Sequence, residues 1–110
     1  MQPKVRQHLL DIAAACREIS DFVGEDADII VRDRKTALAV ERLLLIVGEA
    51  LTRIRDTDPA ILNSISEWNG IVGMRNAIVH GYDALVPSRL RDAIRHDLPV
   101  LLAEVEQLLN

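Results

Sequence analysis

The stretch Met74-Arg75-Asn76-Ala77-Ile78-Val79-His80-Gly81-Tyr82 places a guanidinium, an amide, an imidazole and a phenol within about two helical turns. A neutral imidazole at His80 can accept the proton of a 2′-hydroxyl. The protonated form can supply one to a leaving oxygen. The Arg75 guanidinium stays charged, so it can clamp a phosphate and stabilise the extra charge of a transition state. Asn76 can fix the tautomer or orientation of the imidazole. This set suits cleavage of an RNA phosphodiester in which the 2′-hydroxyl is the internal nucleophile, and such chemistry needs no metal or other cofactor. The same residues have a plainer use. On an amphipathic helix an Arg and a His also serve as solvated or core-satisfying groups, and a Tyr as a partly buried packing residue.

Spacing constrains how these groups meet. On a helix Arg75 and Tyr82 share one face, and Asn76 and His80 lie within side-chain reach on a neighbouring face. Arg75 and His80 are five apart and diverge by roughly 140°. They converge only if the helix loosens at Gly81 or if two copies of the chain face each other.

The elements that must hold this segment are helices. The chain has 110 residues, 49% hydrophobic, 27% charged and only 3% aromatic, with five Gly and four Pro. That is one domain's length, and residues 1–110 are read as a single domain. An all-β sandwich would need more turn-forming and aromatic residues. No apolar run is long enough to span a membrane, so no membrane partner is expected. The basic residues Lys4 and Arg6 lack a signal core behind them, because Gln7, His8 and Asp11 interrupt it. A cytoplasmic protein is therefore expected. The lone Cys16 excludes an intrachain disulfide and a cysteine-rich zinc site. Net charge is −4, with a pI near 5.3. DNA is not an expected partner, and any RNA contact must come from a local basic patch.

Four helices follow from periodicity. The first runs from about Pro3 to Val23, with Val5, Leu9, Ile12, Cys16, Ile19 and Val23 as its apolar stripe and Gly24 as its stop. Residues 24–32 read as a loop or as the first turns of the next helix. Asp33 is a candidate N-cap for the second helix. Its stripe is Ala37, Val40, Leu44, Val47, Leu51 and Ile54, with Leu43, Ile46 and Ala50 alongside. That apolar surplus predicts a central helix or a subunit interface. Residues 60–66 read as a loop or a short helical turn. The third helix runs from Ser66 or Glu67 to His80, with Ile71, Met74 and Ile78 inward. Gly70 and Gly73 allow another backbone to approach closely, and Gly81 is its stop. The fourth helix follows Pro87, with Ser88 as a possible cap. Pro99 predicts a kink or break in it. The fold class is all-α, an antiparallel four-helix bundle.

Arg75-Asn76, three further residues, and His80-Gly81-Tyr82 resemble the Arg-x4-His-x-Tyr motif of HEPN-domain ribonucleases. The whole chain is similar to the HepT toxins of HepT/MntA toxin–antitoxin pairs. Gly48-Glu49-Ala50, Trp68, Gly73-Met74-Arg75-Asn76 and Asp97-Leu98-Pro99 stand in the family's order. The resemblance implies an all-α homodimer whose paired motifs line a cleft where RNA is cut without a metal. His80 would be the general base or acid, Arg75 the phosphate clamp and Asn76 a supporting polar group. Tyr82 matches the tyrosine that a nucleotidyltransferase antitoxin modifies with AMP. Glu49 would support Arg75, or it sits at a solvated edge.

Arg91 and Arg95, four apart on one face, either extend a basic path for RNA or pair with Asp92 and nearby carboxylates. Arg53 and Arg55 read as complements to the second helix's dipole. His8 and His96 read as surface or partly buried histidines. His96-Asp97 lacks a third ligand for a metal. The alternative to a ribonuclease is a non-catalytic helical module that docks a nucleotidyltransferase and presents Tyr82.

Overall fold

The computed structural model describes residues 1–81 and 86–110. Tyr82, the expected modification site, lies outside the described residues. Helix α1 spans Pro3–Val23, the one-turn α2 Ile29–Arg32, α3 Arg34–Thr57, α4 Trp68–Val79 and α5 Pro87–Leu109, and a 3₁₀ helix covers Pro59–Ser64. No strand occurs among the described residues. None of these helices is long and apolar enough to cross a membrane.

Helix α1 takes its predicted bounds. Pro3 occupies the first turn, where its missing N–H leaves no gap, and every residue of the predicted stripe is buried. The chain leaves α1 at Gly24, whose N–H donates to the Ser20 carbonyl at 2.9 Å. The ambiguous stretch that follows is a turn and a single helical turn. The Asp26 carboxylate accepts the Asp28 N–H at 3.0 Å, and Ile30 is sunk into the core. Asp33 stands at the N-cap position of α3 with an extended backbone, and its carboxylate accepts the Thr36 hydroxyl at 2.5 Å.

Helix α3 is the axis of the molecule. Its predicted stripe is buried, as are Leu43 and Ala50 beside it. It packs against α1 most extensively, and also against α2, the 3₁₀ helix, α4 and α5. A helix surrounded in this way needs more than one apolar face. Much of its surplus is thus spent inside the chain.

Two helix starts differ from expectation. Ser66 does not open α4, because its hydroxyl and N–H both donate to the Glu104 carboxylate of α5, at 3.0 and 3.2 Å. The helix begins at Trp68 instead. Ser88 does not cap α5, because Pro87 is itself the first helical residue and Val86 takes the cap position. The Val86 carbonyl accepts the N–H groups of Arg89 and Leu90 at 3.0 and 3.2 Å. Pro suits that first position because its φ is already helical. Pro99 lies inside α5, which runs as one helix to Leu109, and it offers no N–H to the Arg95 carbonyl.

Cys16 is fully buried on the α1 stripe, and burial pushes its thiol up to about 12. It is a packing residue. Native protein at pH 8 should therefore resist alkylation by iodoacetamide, with full labelling only in denaturant. Leu51, fully buried on α3, sets the scale of the core. Leu51→Ala should cost about 2–5 kcal/mol in urea unfolding at fixed protein concentration, with an unchanged slope.

Candidate functional site

The site begins with a glycine. Where α3 and α4 meet, Gly48 faces the root of the Arg75 side chain. A Cβ built on Gly48 would stand 2.3 Å from the Arg75 Cβ and 2.6 Å from its Cγ. Only a residue without a side chain lets Arg75 lie across α3 at this point. The close-approach glycine is thus Gly48, and not Gly70 or Gly73. A Cβ at Gly73 meets nothing within 4 Å, and one at Gly70 meets only the Glu67 carboxylate at 4.0 Å.

From that crossing the guanidinium reaches Glu49, the next residue of α3. Arg75 Nη2 donates to Glu49 Oε1 at 2.5 Å, and Nη1 donates to Asn76 Oδ1 at 2.9 Å. The Arg75 side chain is 23% exposed and that of Glu49 40%. The hydrogen bond from Arg75 is the main reason that the Glu49 carboxyl titrates below its usual range, against partial desolvation. The charges of Arg75 and Arg53 add to the lowering. Arg75 Nε is buried and has no hydrogen-bond partner among the described residues. Glu49 and Arg75 thus lie within hydrogen-bond reach of each other.

His80 ends α4. Its backbone is still helical, with φ −82° and ψ −3°, and its N–H donates to the Asn76 carbonyl at 3.0 Å. The turn comes one residue later, at Gly81, which takes φ +65°. That left-handed conformation favours glycine. Because the backbone stays helical through His80, the roughly 140° divergence from Arg75 persists within one chain. His80 and Asn76 are both exposed beside the helix end.

The other basic candidates stand apart, on α5. Arg91 Nη1 and Arg95 Nη2 both donate to Asp28 Oδ1, at 3.3 and 3.2 Å, and Arg91 Nε also donates to Asp92 at 3.1 Å. These are the carboxylate pairings that the sequence offered as one of two readings. Arg55 pairs with Asp56. Among the described residues no group of three or more His, Cys, Asp or Glu side chains could hold a metal ion.

Sequence reading passed over a groove beside Glu49, between α1 and α3, whose polar walls include His8, Asp11, Arg42 and Arg53. Its signal was present in the chain: Arg42, Ile46, Glu49 and Arg53 step by four, three and four along one helix face.

The model of the family described as Ribonuclease HepT-like matches residues 12–108. A protein of Thermococcus cleftensis that carries the provisional name ribonuclease HepT is 31% identical over 109 residues, covering 98% of each chain. A Methanocaldococcus jannaschii protein with the provisional name RNase is 27% identical over 109 residues, covering 96% of this chain and 88% of its own. A second from the same organism, similarly named, is 27% identical over 103 residues, covering 93% of this chain and 94% of its own. No solved structure gives a significant match.

The geometry makes two checks possible. Gly48→Ala must push α4 off α3, and should cost about 1–3 kcal/mol in urea unfolding. The carboxyl carbon of Glu49, followed by NMR, should titrate below the ordinary glutamate range, and Arg75→Ala should move the midpoint up. The sign follows from the lowered carboxyl. The pair's contribution is complete above the ordinary glutamate range and drains away as pH falls through the Glu49 midpoint.

Proposed function

This chain belongs to the HepT-like ribonuclease family, and from that premise we propose that it is a metal-independent endoribonuclease. In this reading it is the toxin of a toxin–antitoxin pair and cuts RNA through its Arg-x4-His motif. The observation that carries the proposal is the holding of Arg75 by Glu49 and Asn76 beside a helix end formed by His80. A guanidinium whose position is already set loses little freedom when it meets a phosphate. In the proposed reaction His80 takes the 2′-hydroxyl proton or protonates the leaving oxygen, and Arg75 stabilises charge on the phosphate.

The divergence of Arg75 and His80 along one helix supports a homodimer. Two copies facing each other bring one chain's Arg75 to the other's His80 in a shared cleft. Gly70 and Gly73, whose Cβ positions are open, leave part of α4 clear for such an approach. The proposed antitoxin is a nucleotidyltransferase of the MntA type that transfers AMP to Tyr82. Added phosphate charge and bulk two residues from His80 would repel the RNA backbone. A cytoplasmic setting fits an RNA substrate. Arg91 and Arg95 can extend the RNA contact only by exchanging Asp28 for phosphate.

Induction of wild type, His80→Ala and Arg75→Ala at matched soluble levels tests the reading. RNA loss and growth arrest should appear with the wild type alone. The purified variants should cleave RNA at least about 100-fold more slowly while keeping the wild-type circular dichroism, and the wild type should cleave undiminished in EDTA. Intact RNA with the purified wild type, and identical growth in all three strains, would sink the proposal.

A further inference from the structure

We propose that the groove between α1 and α3 binds a single-stranded part of the RNA substrate, with Arg42 and Arg53 as its phosphate contacts. The inference rests on the ribonuclease reading and extends it to residues outside the motif.

Placement is the first support. Arg42, Ile46, Glu49 and Arg53 form one face of α3, and Glu49 is the residue that holds Arg75. The groove thus shares a wall with the proposed active site. The charge of Arg53 reaches Glu49 and helps to lower its carboxyl. Arg42 and Arg53 lie about 16 Å apart along the helix. At ~3.4 Å per phosphate along a stacked strand, that spans about five nucleotide steps.

Unspent charge is the second. Arg17, Arg32, Arg55, Arg75, Arg91 and Arg95 each hold a carboxylate within 3.6 Å. Arg42 and Arg53 make no hydrogen bond or ion pair with any described residue, although they line a groove that also contains Asp11 and Glu49. Glu49 is engaged by Arg75, and Asp11 accepts the Gln7 amide at 2.9 Å. The lining itself holds two guanidiniums and two carboxylates; Arg75, which stands outside it, takes up the Glu49 charge and leaves one positive charge over within an acidic chain.

The floor is the third. Leu45 and Ile46 are half-buried and Ala50 is buried, so apolar surface lies between the two cationic ends. Unpaired bases can rest their faces on such a floor, and His8 from α1 offers a ring beside it. A duplex hides those faces, so the groove suits a single strand.

The test measures binding of a labelled single-stranded RNA oligonucleotide to the His80→Ala protein, which holds RNA without cutting it. Adding Arg42→Ala and Arg53→Ala should weaken binding at least about tenfold. It should also reduce the slope of log affinity against log salt by ~1.4, since each single-strand phosphate contact carries ~0.7. Arg17→Ala with Arg55→Ala changes the net charge equally and should leave affinity within about twofold. In the active protein the groove substitutions should raise KM and spare kcat.

Unchanged affinity and slope would overturn the inference, as would an equal loss in the Arg17/Arg55 control. Dissociation of a dimer on groove substitution, seen by sedimentation, would assign these arginines to a second copy and also overturn it. Absence of RNA binding by His80→Ala rejects the groove whatever the wild type cuts. The ribonuclease reading fails separately, when wild type binds through Arg42 and Arg53 yet leaves the RNA intact.

Discussion

The site depends on Arg75 lying flat across Gly48. The side chain of one helix passes through a space on another that any Cβ would occupy. That passage fixes how closely α3 and α4 approach. It also shields the Arg75 Nε from solvent and sends the guanidinium tip to Glu49. An arginine on an exposed helix face would sample many rotamers. Here packing at its root and hydrogen bonds at its tip leave it few. The carboxylate that holds it is 40% exposed, so the pair stays in contact with water.

Charge is distributed unevenly around this point. Acidic residues outnumber basic ones overall, and most arginines are neutralised where they stand. On α5, Asp28 gathers Arg91 and Arg95 and ties the α2 turn to the bundle. That arrangement serves the fold, and it explains why a run of arginines late in the chain is not by itself a basic surface. Arg42 and Arg53, which hold no carboxylate of their own among the described residues, flank Glu49 on α3, where a local field matters more than the net charge.

The central position of α3 links fold and site. Its inner residues hold the core together through Leu44, Leu51 and Ile54, while Gly48 and Glu49 on another of its faces hold Arg75. A side chain positioned by the most heavily packed helix inherits that helix's rigidity. Disturbing the α3–α4 crossing therefore changes stability and Arg75 geometry together.

Periodicity by itself dictates most of the architecture. The stripes of α1 and α3 bury as their spacing requires, because an apolar row on a 3.6-residue period has only one way to leave water. Gly81 marked the end of α4, and the Arg75–His80 spacing marked the segment worth watching. Local signals failed where a distant residue outbid a nearby one. Ser66 looked like a helix start, but Glu104, far along the chain, claims it. Gly70 and Gly73 looked like the packing glycines, but helix crossing put the demand on Gly48. The Arg42 and Arg53 charges could not be separated from those of Arg91 and Arg95 by sequence, since all four are simply arginines on helix faces. Which of them keeps a carboxylate depends on how helices pack side by side, and only the tertiary structure decides that.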